Sequence, residues 1–275
     1  PTVGVGWVLS EESFLENSNV IDFLKLRASW GELGNANVDS STGGITSDAV
    51  DAAFGDVRYP GLVTSSDFEA LKWEVTAETN VGLTTRLFDN KLTIDSDYYV
   101  RETRDAVIPV SRLLVPGETR QNVGVIRNSG FEIVANWNQR VSDNFSFSVG
   151  GNFSTLKNEV LDLAGQENLT TGGDTAQRTV VGGTISPFFG LKVDGVYQTD
   201  EEIQSDPAAQ AAIADGLTVA PGDLKFVDQN GDMVIDAQDR VDLGSYLPTY
   251  SFGFNLGMNY KAWDFNLNVI GQGGN

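Results

Sequence analysis

One stretch of the chain has the spacing of a cation-binding loop: DQNGDMVIDAQD, residues 228–239. Calcium takes about six to eight oxygen ligands, and the ~12-residue loops that hold it supply them from alternate positions. Counting Asp228 as first, Asn230 stands third, Asp232 fifth, the Val234 carbonyl seventh, Asp236 ninth and Asp239 twelfth. Ile235 takes the apolar eighth place. One position departs from the pattern. The sixth place normally holds Gly for a sharp turn, and here it is Met233, a residue that rarely adopts positive φ. These six residues are the candidate ligands of a structural calcium that pins the long connection over residues 158–249. The alternative is a solvated acidic turn held by its own Asx hydrogen bonds.

Other chemistry is sparse. The aromatics Tyr59, Phe188, Phe189, Tyr197 and Tyr246 lie between strand patterns, where they would contact a substrate or partner, or pack their own loops. Asp95 and Asp97 have the same-face spacing of a glycosidase pair, but on a strand that spacing equally describes water-facing charges. No catalytic residues are expected. Cys and His are both absent, which removes disulfides, thiol nucleophiles, His-based triads and the usual zinc sites. The terminal GQGGN lacks the strand–loop–helix context of a phosphate cradle. With 18 Lys and Arg against 38 Asp and Glu, a net charge of −20 excludes nucleic acid as a partner.

The elements that must position these residues are strands. In WEVTAETNVGLTTRL, residues 73–87, apolar Trp73, Val75, Ala77, Val81, Leu83 and Leu87 alternate with Glu74, Thr76, Glu78, Asn80, Thr84 and Arg86. A β-strand sends successive side chains to opposite faces, so this is a ribbon with one oily and one wet side. The alternation recurs at Val3–Trp7, Leu24–Trp30, residues 91–101, 131–138, 145–154 and 250–260, and Phe265–Val269. That makes eight strands. One helical candidate interrupts them: TDEEIQSDPAAQAAIADG, 199–216, with a capping box at Thr199 and Glu202, a second start at Asp206-Pro207 and a stop at Gly216.

Alternation alone does not distinguish a protein core from lipid. The connections do more. Short turns fall at 88–90, 141–144 and 261–263 and a moderate link at 10–20, whereas about 34–72, 104–127 and 158–249 are long. Following the strands up and down, short links collect at one end and long ones at the other. That sorting belongs to outer-membrane barrels, with short periplasmic turns and long extracellular loops. No run of 18 apolar residues exists, so no transmembrane helix is expected, but a barrel splits its hydrophobicity over alternate residues. Trp73, Tyr98, Tyr250, Tyr260 and Trp263 stand near strand ends, where an interfacial girdle would place them. The many charges on the wet face suit a wide, hydrated lumen better than a closed eight-stranded one.

Several stretches resemble the SusC/RagA family of TonB-dependent outer-membrane transporters of Bacteroidetes: IDFLKLRASWGELGNANV (21–38), LKWEVTAETNVGLTTRLFDNKLTIDSDYYVRETRD (71–105), NSGFEIVANWN (128–138) and residues 221–275. The resemblance implies an all-β chain, a section of an antiparallel transmembrane β-barrel of about 22 strands, spanning residues 1–275 as part of the barrel domain. It also implies an N-terminal plug, coupling to TonB and a SusD-like surface lipoprotein as partner. The cargo would be oligosaccharides or peptides, and the place a Gram-negative outer membrane. Plug and TonB-contacting segment are expected outside these residues. Two readings compete: a soluble, secreted calcium-loop module that binds carbohydrate or mediates adhesion, and a secreted β-rich hydrolase. Both require protein to cover the oily face.

Overall fold

Runs of alternating residues build sheets when each backbone edge finds a partner. The computed structural model describes residues 1–35, 45–54, 57–66, 71–112, 115–171 and 177–275, with the backbone alone over 45–54, 58–66, 109–112, 115–120 and 170–171. The chain divides into two compact units, one of residues 1–167, 180–183 and 248–275, the other of 168–179 and 184–247.

The first unit is an antiparallel sheet. Its strands are β1 (Thr2–Val8), β2 (Ile21–Asn35), β3 (Glu74–Leu87), β4 (Leu92–Arg112), β5 (Val115–Ser142), β6 (Phe145–Thr155), β7 (Lys157–Leu163), β8 (Tyr250–Tyr260) and β9 (Trp263–Gly273). The path runs β1-β2-β3-β4-β5-β6-β8-β9, with β7 alongside β5. The eight strands of that path are the eight expected from the alternation. β8 and β9 have 11 residues each, enough to cross a hydrocarbon layer at a tilt. A separate hairpin pairs Ile45–Phe54 with Val57–Ser66, inside the expected 34–72 connection.

The tight turn between β3 and β4 uses three consecutive left-handed residues, Phe88, Asp89 and Asn90, with φ of 60°, 58° and 59°. Asx side chains tolerate that conformation better than most. The Asn90 amide also donates to the Asp22 carboxylate at 2.9 Å, which ties the turn to β2.

The connection expected as a loop over 104–127 is built differently. The β4–β5 ladder continues through Ala106↔Gly124 to Arg112↔Val115, broken by register shifts. Beyond Arg104, β4 no longer pairs with β3. Among the described residues no strand pairs with its outer edge there, where the Val107 amide donates to the Glu74 carboxylate at 3.0 Å, and an edge strand accommodates Pro109. Alternation fails in this stretch, so periodicity does not reveal the strands.

The oily face stays open. Val5 is 71%, Val81 46% and Phe265 50% exposed, and Trp30, Tyr98, Phe131, Phe153, Phe252, Phe254 and Leu267 are also exposed. Apolar side chains buried in this unit, among the described residues, number five: Ala77, Ala106, Ile108, Val160 and Leu163. A soluble sandwich of this length would bury one whole face.

The wet face has two sectors. On β2–β4 it is charged: Arg27 pairs with Asp97 at 3.0 Å, Arg101 with Glu78 at 2.7 Å, and the Thr84 hydroxyl donates to Asp95 at 2.8 Å. Gly82 lies between Arg27 and Asp97 in register, and a Cβ there would collide with both side chains. On β5, β6, β8 and β9 two successive rows of the face are neutral. Asn136, Gly150, Asn255 and Asn268 form one row, and Asn138, Ser148, Gly257 and Asn266 the next.

Candidate functional site

The second unit carries the loop chemistry. Thr199 caps α1 (Asp200–Ser205) by accepting from the Glu202 amide, and Asp206 caps α2 (Pro207–Ala214) by accepting from Ala208 and Ala209. Gly216 ends the pair at φ 89°. Both starts and the stop are where the sequence places them. Glu202 reaches back to the Gln198 amide at 2.8 Å, one residue before the cap. Ile203 and Ala209 from the two helices close a small core with Tyr197, against which Val219 packs.

That core settles one aromatic. Tyr197, read from sequence as a contact residue, is 6% exposed and its hydroxyl donates to Asp206 at 2.8 Å. It packs and pins the helices instead of facing a ligand. Desolvation and the adjacent Asp206 carboxylate push its hydroxyl up to about 12. Desolvation pushes Asp206 the other way from its net shift. The Tyr197 hydroxyl, the Ala208 and Ala209 amides and Lys225 at 3.7 Å outweigh it and hold the carboxyl below its ordinary range.

The remaining aromatics divide. Phe189 pairs with Asp242 in a two-stranded ladder, its ring 5.0 Å from the Arg178 guanidinium. Phe188 exchanges backbone bonds with Leu243 and Gly244, two or three residues from Tyr246, and both Phe188 and Tyr246 are exposed. The Tyr59 side chain lies outside the described residues.

In the 228–239 loop the backbone turns through two left-handed residues. Met233 adopts φ 68°, the left-handed conformation that the sixth position requires, and Gly231 adopts 79°. The Asp228 carboxylate accepts from Gly231 at 2.7 Å and from Met233 at 2.8 Å. Asp232 accepts from Val234, and Asp236 accepts from Gln238. Asp239 is fully buried and accepts from Gln229 and Asp236, each at 2.8 Å. The Asp236 amide, with those of Gln229 and Asn230, holds its carboxyl below the usual range against desolvation. Among the described residues, no three acidic side chains converge as metal ligands would. The turn is therefore held by Asx hydrogen bonds, with Asp228, Asp232, Asp236 and the Val234 carbonyl ranged along it and Asp239 committed to amides at its base.

Asp95 and Asp97 have separate partners. One is held by Thr84 and the other by Arg27, on the wet face of the sheet.

The comparisons with known proteins agree with this architecture. A family model described as TonB dependent receptor-like, beta-barrel matches residues 1–270. A TonB-dependent receptor of Formosa agariphila is 31% identical over the whole of this chain, which spans 28% of that receptor's length. The TonB-dependent receptor SusC of Bacteroides thetaiotaomicron is 28% identical over 98% of the chain, which spans 27% of SusC. Among solved structures, the RagAB peptide importer in its open-open state superposes with a TM-score of 0.75 at 21% identity, covering 99% of this chain and 28% of that one.

Proposed function

From the premise that the chain belongs to the TonB-dependent receptor-like β-barrel family, outer-membrane barrels of Gram-negative bacteria, we propose that it forms a wall section and surface loops of a nutrient importer. The family is one of receptors and transporters, not enzymes. The whole protein would carry oligosaccharides or peptides inward, energised through TonB by a segment outside this chain and served by a SusD-like surface lipoprotein. The long connections over about 34–72, 104–127 and 158–249 would face the cell exterior, with Phe188 and Tyr246 offered to cargo or lipoprotein.

The observation that carries this reading is the open apolar face of the sheet. Hydrocarbon suits Val81, Phe252 and Phe265, whereas water would leave a large oily patch unsatisfied. Among the described residues no strand pairs with the outer edges of β1 or β9. An open edge cannot sit in lipid, so further strands of the parent would complete the wall. The test is fractionation of the full-length parent, with uptake of labelled oligosaccharides and peptides before and after its deletion. The expected result is outer-membrane recovery and loss of uptake of one cargo class when the parent is deleted or the proton gradient collapsed. Recovery in the soluble fraction, or undiminished uptake of both classes, would overturn the reading.

A structural calcium in the 228–239 loop is a second proposal. Its support is the left-handed Met233, which gives the turn its required bend without Gly.

A further inference from the structure

On the charged sector of the wet face, carboxylates come with partners. Glu78 has Arg101, Asp95 has the Thr84 hydroxyl and Asp97 has Arg27. Glu132 on β5 points the same way and has neither a hydrogen bond nor an ion pair among the described residues. A lone carboxylate on a flat surface is merely hydrated. Glu132 differs in two respects. It stands directly opposite Asp97 across the β4–β5 ladder, where like charges repel. It also lines a recess of 210 Å³, together with Tyr99, Ser154, Leu156, Pro248 and Ser251.

The backbone makes that recess. β5 pairs with β6 up to Glu132↔Ser154 and with β7 from Ser129↔Lys157, so the partner strand breaks at Thr155 and Leu156. Leu156 instead donates its amide to Thr249 at 2.8 Å. Such irregularities re-aim side chains and open a sheet locally. Beside the break stands Gly130, where a Cβ would collide with the Tyr99 hydroxyl and the Thr155 carbonyl. The missing side chain lets Tyr99 lie across the sheet toward the recess.

The lining is rich in acceptors. Ser154 and Ser251 share one hydrogen bond at 2.7 Å and keep lone pairs free, and Glu132 accepts only. A ligand that donates several hydrogen bonds and carries positive charge satisfies these acceptors and the unpaired carboxylate. The Tyr99 ring already draws the Arg101 guanidinium to 5.9 Å, so it is a surface on which cations rest. We infer that the Glu132 recess holds an alkylammonium or guanidinium group. Two sources present that chemistry: a basic group on imported cargo, or a Lys or Arg side chain from the rest of the same protein. The cargo arm deepens the import reading above and rests on it.

The test uses the full-length parent in detergent, with N-acetyl-lysine amide as probe and N-acetyl-glutamine amide as neutral control. Titration calorimetry is run on wild type, Glu132→Gln, Glu132→Asp and, as a charge control, Asp95→Asn. Saturable probe binding, absent for the control, weakened about fivefold in Glu132→Gln and retained in Glu132→Asp and Asp95→Asn, supports the cargo source. No probe binding, together with a lower unfolding temperature in Glu132→Gln that Glu132→Asp restores, supports a resident side chain. Equal probe binding in wild type and Glu132→Gln overturns the proposal, as does the absence of both binding and a stability change. Binding and stability are read without transport, so failure here and failure of the import reading remain distinct.

Discussion

The sheet and the 184–247 segment solve opposite solvent problems. β8 leaves Phe252, Phe254 and Tyr260 uncovered, whereas the loop segment tucks Tyr197, Ile203 and Ala209 inside a core of a few side chains. In the second kind polar groups cap helices and fill turns around that core, while other apolar side chains such as Leu217 and Leu224 stay exposed, scattered along the segment instead of ranged on one face. The first kind turns its apolar side chains outward and lines its other face with ion pairs and amides. One polypeptide therefore carries two inside-out relations to solvent. Fold class follows from which residues are left exposed more than from how many are apolar.

The largest expected effect breaks the sheet's side of that contrast. Val81 sits on the oily face of β3, and Val81→Arg should cost about 2–4 kcal/mol where the position lies near mid-bilayer. Unfolding of the parent in lipid vesicles by denaturant would measure it. A cost below about 0.5 kcal/mol would mean that water or protein bathes this face.

How much of this was legible in the sequence follows the same division. The eight strands could be read because a two-residue period is a local property, and WEVTAETNVGLTTRL states its own face assignment. The helix starts at Thr199 and Asp206 were legible for the same reason, since a cap and its amides lie within one turn. The continuation of β4 and β5 through Pro109 was not, because a hairpin broken by register shifts carries no regular alternation. The burial of Tyr197 depends on Asp206, nine residues away, and on helices folding over it. The Glu132 recess gathers residues from β4, β5, β6 and β8, and only cross-strand register brings them together.

The next effect tests the loop segment. The Tyr197 hydroxyl is raised from 10.0 to about 12 in the folded state. A raised folded value means that the stabilisation is fully present below pH 10 and is lost as pH climbs toward 12. The loss should be on the order of 2 kcal/mol, local to residues 184–247. Asp206 runs the other way. Its folded value is depressed, so its contribution is present above the ordinary carboxylate range and fades as pH falls through it. Amide hydrogen exchange of α2, corrected for the intrinsic pH dependence of exchange, should show both flanks. Tyr197→Phe should abolish the alkaline one. An alkaline flank that persists in Tyr197→Phe would remove the Tyr197–Asp206 pair as its cause.

Calcium should move the same segment by less. At free calcium about ten times its dissociation constant, a structural ion adds about 1.4 kcal/mol to the unit that holds it. The proposal predicts slower exchange of the Gln229, Met233 and Asp236 amides in the parent protein with calcium, reversed by chelator and lost in Asp232→Ala. Calorimetry without saturable heat at millimolar calcium, and exchange rates indifferent to chelator, would leave the Asx bonds alone as the turn's support.

The smallest effect sharpens the contrast most, because it comes from the neighbouring residue. Asn80 is one position from Val81 and faces the wet side of β3, level with Ser29 on β2 and Tyr99 on β4. Asn80→Arg adds the same charge and bulk as Val81→Arg, on the same strand and at the same height. Strand and height are shared between the two, so their difference chiefly reports the medium each side chain enters. Water on the polar face should hold the Asn80→Arg change within about 0.5 kcal/mol of wild type. Equal penalties for the two variants in the vesicle unfolding assay would contradict lipid exposure of one face only, whatever the size of either penalty.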